Sequence, residues 1–92
     1  MNRIHKLTNQ PIMEFYTYCG DLNTYTIAIV KHQLFGGTIM LESWYVQDGD
    51  GTAHHAIGVP NDTDENRAIL LNEAIELIKQ DEQEQKDANI NH

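Results

Sequence analysis

The sequence predicts an α+β domain: a four-stranded antiparallel β-sheet, connected as a meander, with one C-terminal helix packed on one face. Three observations lead there. Residues 12–59 alternate β-forming runs with clusters of turn residues. The connections between those runs are short, which favours neighbouring antiparallel strands. Beyond residue 62 the apolar period changes from that of a strand to that of an amphipathic helix.

The elements follow in order. Residues 1–11 are polar, lack a period and read as a lead-in. Residues 12–19, Ile-Met-Glu-Phe-Tyr-Thr-Tyr-Cys, are rich in aromatic and β-forming types and predict the first strand. Gly20-Asp21-Leu22-Asn23 is a turn cluster. Residues 24–32 form the strongest strand signal, and Gly36-Gly37 interrupts it before a third strand over 38–47. Asp48-Gly49-Asp50-Gly51 predicts a hairpin, because Asp and Gly tolerate the positive φ such turns need. Residues 52–59 are a weaker fourth strand, ended by Pro60, which has no N–H for a ladder. Asp62 is the expected helix N-cap, with Glu65 three residues on in a capping-box position. Ala68, Leu71, Ala74, Ile75 and Ile78 share one helical face, widened by Leu70 and Leu77. The expected helix spans 62–86, and residues 87–92 read as a fraying tail.

A period of two divides each strand between two faces. One expected face holds Met13, Phe15, Thr17, Tyr25, Ile27, Ile29, Ile39, Leu41, Tyr45, Ala53, His55, Ile57 and Val59, and belongs under the helix. The other holds Glu14, Tyr16, Tyr18, Thr26, Ala28, Val30, Met40, Glu42, Trp44, Val46, Thr52, His54 and Ala56. One helix covers one face, so Tyr16, Tyr18 and Trp44 are expected on an open aromatic surface suited to a partner or to homodimerisation.

Ninety-two residues make a single domain. The one cysteine, Cys19, allows no internal disulfide and fits a reducing compartment. No apolar run approaches the roughly 18 residues of a membrane span, and the first ten residues hold no apolar signal core. A cytoplasmic location is the expectation.

Charge is distributed unevenly. The chain carries a formal net charge of −8. Residues 1–47 hold three acids and three bases, whereas residues 48–92 hold eleven acids and three bases. A strongly negative surface repels nucleic-acid phosphates and attracts basic proteins. The small basic group Arg3, His5, Lys6, Lys31 and His32 is too sparse to predict binding of free nucleic acid.

The common chemistries lack their residues. Ser43 sits within a strand, without a Gly-x-Ser-x-Gly elbow. Asp48–Gly51 fits no EF-hand register: position 12 falls on Val59 or Ile57 where glutamate is required. Adjacent strand residues point to opposite faces, so His54 and His55 do not readily share one metal ion. Gly36-Gly37 lacks the Lys-Ser/Thr of a phosphate loop. Glu14 and Glu42 would act as an acid/base pair only if their strands met there. No catalytic residue, cofactor or metal is expected. An enzymatic alternative would rest on Cys19, His54 and His55.

What remains is the helix. On a wheel of 100° per residue, Glu65, Ile69, Asn72, Glu73, Glu76 and Gln80 lie away from the apolar stripe. Asp81, Glu82, Glu84 and Asp87 continue the negative field. The expected contact set is therefore Glu65, Ile69, Glu73, Glu76, Asp81, Glu82 and Glu84 on the helix, with Tyr16, Tyr18 and Trp44 on the sheet.

In its size, its short sheet plus helix, its lack of a catalytic motif and its acid concentrated on one element, the chain resembles the small acidic inhibitors carried by bacteriophages and mobile elements, such as anti-CRISPR proteins and DNA mimics. The resemblance is one of overall style across the whole chain and assigns no individual residue. It implies a non-enzymatic protein acting inside a bacterial host. Such a protein would block a nucleic-acid-binding defence complex, for example a CRISPR-Cas effector, by setting carboxylates where phosphates normally lie. The alternative is an antitoxin or immunity-type protein that neutralises one cognate toxin.

Overall fold

The computed structural model describes residues 12–90. The lead-in, the last two residues and the basic side chains Arg3, His5 and Lys6 lie outside them. Four strands, β1 (Ile12–Cys19), β2 (Thr24–Gln33), β3 (Ile39–Gln47) and β4 (Ala53–Pro60), precede one helix, α1 (Asp64–Ile90). The strands form one antiparallel sheet in the order β1-β2-β3-β4, so the architecture is the predicted α+β meander. A single 3-10 turn, Phe35–Gly37, links β2 to β3. In the β3–β4 hairpin Gly49 and Gly51 take φ of 88° and 83°, the left-handed conformation the Asp-Gly repeat predicts. No helix among the described residues is long and apolar enough to cross a membrane.

The core lies between α1 and the sheet. Tyr25, Ile27, Ile29, Leu41 and Tyr45 meet Leu70, Ala74 and Ile78 from the helix, all of them buried. The helix stripe is centred on Leu70, Ala74 and Ile78, four residues apart. Ala68, expected on it, is exposed, while Leu71, Ile75 and Leu77 flank it half-buried. The helix packs on β4, β3 and β2.

Two parts of the expected face assignment are corrected. In β1 the phase is inverted. Phe15 pairs with Ala28 and Tyr16 with Ile27, so Met13, Phe15 and Thr17 share the open face with Val30, Ala28 and Thr26. Glu14, Tyr16 and Tyr18 lie on the helix side. The cause is the turn: Cys19 pairs with Thr24 across four loop residues, and an even loop sets odd positions opposite even ones. β1 carries apolar or aromatic side chains on both faces, so alternation alone could not choose the phase. In β4 a bulge at Ala56 lets Ser43 pair with Ile57 but Trp44 with His55. His55 and Ala53 therefore join the open face, while His54, Ile57 and Val59 lie on the helix side.

The helix ends also differ from expectation. Thr63, not Asp62, caps the N-terminus: its Oγ1 accepts from the Asn66 N–H at 3.1 Å. Asp62 is occupied by cations instead, as described below. The helix does not stop at residue 86 but continues to Ile90.

Candidate functional site

The outward side of α1 is a strongly charged surface. The helix holds eight acids and three bases. Each base is engaged: Arg67 by Asp62 and Glu14, Lys79 by Glu76 at 3.3 Å, and Lys86 by Asp21 at 2.8 Å. Glu65, Glu73 and Glu84 take no hydrogen-bond or ion-pair partner among the described residues. Glu65, Glu76 and Asp87 recur at intervals of eleven residues, and Glu73 and Glu84 repeat the interval beside them. Eleven residues are close to three full turns, so the two rows stay on one side of the helix with carboxylates about 16 Å apart along it. Ile69, 45% exposed, sits between the rows. The flank bearing Lys79 and Lys86 lies toward the opposite side.

This acidity does not serve the helix itself. Asp64 and Glu65 in the first turn suit the macrodipole, but Glu84 and Asp87 stand near its negative end, and no base occupies the last turn.

Two of the expected contact residues are turned to structural work. Glu82 is 3% exposed. Its carboxylate accepts the backbone N–H groups of Asp21 at 2.8 Å and of Leu22 and Asn23 at 3.0 Å, and the Tyr25 hydroxyl at 3.2 Å. Burial pushes the Glu82 carboxyl up, but these four donors outweigh it and hold it below its ordinary value. The pocket also explains Gly20: a Cβ there would run into the Glu82 carboxylate, meeting Cδ at 2.7 Å. Asp81 accepts the Tyr45 hydroxyl at 2.9 Å. Burial, and then this carboxylate, push the Tyr45 hydroxyl up to about 12. A cleft of about 250 Å³ beside Glu82, lined also by Tyr18, Asp21, Lys79, Gln83 and Lys86, is the mouth of this latch.

The other end of the helix is fixed by charge. Asp62 accepts Arg67 through Nε at 2.7 Å and Nη2 at 3.1 Å, and Lys31 at 2.9 Å. Arg67 and then Lys31 hold the Asp62 carboxyl well below the usual carboxylate range. Arg67 also bonds Glu14 on β1, which raises its own value further. Glu14 and Glu42 thus lie on opposite faces of the sheet and form no acid/base pair.

The second candidate surface is the open sheet face. Trp44 is there as expected, edge-on to His55 with ring centroids 4.9 Å apart. Tyr16 and Tyr18 are not; Met13 and Phe15 stand in their place, 53% and 65% exposed. Glu42 bridges two histidines on this face, His32 at 2.6 Å and His55 at 3.3 Å. Neither imidazole was singled out from the sequence as a partner of Glu42, because the contacts run diagonally between strands whose register the sequence does not state. No group of three or more His, Cys, Asp or Glu among the described residues is arranged to hold a metal ion. Ser43 is fully buried under α1, and its Oγ has no partner among the described residues. Comparison with protein-family models, with curated proteins and with solved structures gives no match.

Proposed function

We infer that the protein is a non-enzymatic binding protein whose outward α1 face docks on a basic surface of a nucleic-acid-binding complex and blocks it. One observation carries the reading. Glu65, Glu73, Glu76, Glu84 and Asp87 form two rows around an exposed Ile69, while Arg67 and Lys86 are held by acids outside the rows and Lys79 offsets Glu76 alone. Carboxylates at fixed intervals on a rigid helix can take the places of phosphates against Arg and Lys side chains. Ile69, exposed between the rows, supplies an apolar contact. Glu82 is excluded from the docking set by burial, and Asp81 by its bond to Tyr45.

The test is capture from a bacterial lysate on immobilised protein, with mass-spectrometric identification, comparing native chain with the Glu73→Lys/Glu76→Lys double variant. The reading expects a nucleic-acid-binding assembly that is retained by the native chain, displaced by added DNA or RNA, and lost with the double variant. Glu76 is exposed, and Glu73 is half-buried with no partner among the described residues, so circular dichroism should be unchanged. Equal capture by the two chains would count against the acidic face. Capture of one small enzyme with no affinity for nucleic acid would instead favour an antitoxin-like role.

A further inference from the structure

An open sheet has two edges, and here they differ. β4 is blunted by its bulge at Ala56, by Gly58, and by Pro60, which offers no N–H. β1 has no such device. It pairs with β2 without a bulge and contains neither proline nor lysine. Its outward backbone groups have no partner strand among the described residues. Its faces are open as well. The helix lies over β2, β3 and β4, leaving Tyr16 39% exposed on the helix side, and Phe15 and Met13 more exposed still on the other. A strand this apolar and this uncovered is a template for pairing with another strand.

We propose that β1 is a homodimerisation edge: β1 of a second copy pairs with it antiparallel, about a two-fold axis normal to the sheet, making one continuous eight-stranded sheet. The edge is self-complementary in the register given below, and charge does not oppose a second copy there. At −8 per chain, two copies repel across most approaches. β1 is the exception, because its one ionised side chain, Glu14, is already neutralised by Arg67 of the same chain. The acidic rows of α1 point away from the sheet and do not meet in such a dimer.

Symmetry then restricts the register, and we place the axis at Phe15. Residues directly opposite share a face, so the axis passes through a residue and not between two. An axis at Glu14 would oppose two carboxylates. An axis at Phe15 opposes Phe15 to Phe15 of the second copy on the open face, and Glu14 to Tyr16 on the other. That register pairs residues 12–18 on each side. It is smaller than the roughly 20–30 residues a side of a standard interface, so dissociation is expected in the micromolar range. The dimer is independent of the docking face proposed above.

The experiment is sedimentation equilibrium of the full chain from low micromolar to several hundred micromolar. The proposal expects a reversible monomer–dimer equilibrium. Phe15→Lys, which sets two like charges on the axis, should be monomeric throughout, with its thermal midpoint within a few degrees of native. Phe15→Leu should restore the dimer. Several results would overturn the proposal. One is a native monomer at every concentration. Another is a Phe15→Lys chain that dimerises like the native one. A third is open-ended association in place of a dimer. A fourth is a dimer that appears only when residues 1–11 are removed, which would assign the edge to the lead-in.

Discussion

Removing the Glu82 carboxylate should loosen the β1–β2 hairpin from the helix and destabilise the whole domain. The geometry sets the magnitude. Three backbone N–H groups and one hydroxyl converge on two oxygens at 2.8–3.2 Å. A hydrogen bond to a charged acceptor contributes about 1.5–3 kcal/mol. Asp21 and Leu22 are exposed, so water recovers part of this when the side chain is cut back. At about 1 kcal/mol for each backbone donor, Glu82→Ala should cost about 3 kcal/mol, against about 5–14 kcal/mol for a domain of this size. The thermal midpoint should fall by about 12–24 °C. Glu82→Gln keeps the shape but offers one acceptor oxygen and places an amide donor against a backbone donor, so roughly half the loss is expected. The pH dependence has a definite sign. The folded carboxyl is held below its ordinary value of 4.5, so its contribution is full above that value and is lost as pH falls through the folded value. The gap between native and Glu82→Gln should therefore close on acidification. Calorimetry across pH, with amide exchange at Asp21, Leu22 and Asn23, reads both effects. A Glu82→Ala midpoint within about 3 °C of native, or an unaltered acid dependence in Glu82→Gln, would refute the reasoning.

Two further outcomes follow from buried polar groups. Ser43→Ala removes an unpartnered buried hydroxyl and should raise stability by about 1 kcal/mol, read as a higher denaturant midpoint with unchanged slope; a loss of similar size would mean that the hydroxyl is satisfied. The Tyr45 hydroxyl is pushed up to about 12 from an unfolded value of 10.0, so its contribution is full below pH 10 and is lost as pH rises through about 12. Native protein should accordingly lose stability over that interval more steeply than Tyr45→Phe, and parallel curves would contradict it.

Much of the fold is legible because its signals are local. The strand runs, the Asp-Gly hairpin and the helix period each occupy a few consecutive residues, and their order leaves few topologies. The phase of β1 was not legible, because Met13 and Phe15 compete with Tyr16 and Tyr18 and only the pairing register decides. The bulge at Ala56 was equally hidden, since no glycine or proline marks it. Glu65, Glu73 and Glu76 could be placed away from the apolar stripe by the wheel alone. Glu82 could not, because it lies one step of four beyond Ile78, on the edge of the buried stripe, and its partners are about sixty residues away in the sequence. Gly20, which has no positive φ and sits beside an acid-accepting turn, was the one local trace of that contact.

Glu82 and Arg67 together have a consequence for assembly. Arg67 reaches Glu14 near one end of β1, and Glu82 closes over the turn that follows the other end. The first hairpin is thus strapped at both extremities by the last element, although the helix scarcely lies above its outer strand. A chain leaving the ribosome makes that hairpin early, yet cannot fasten it until the helix has emerged. Until then the hairpin is an unsecured pair of strands, and isolated two-stranded hairpins are marginally stable at best. The domain should therefore acquire its protection late and all at once, with the helix as the closing step.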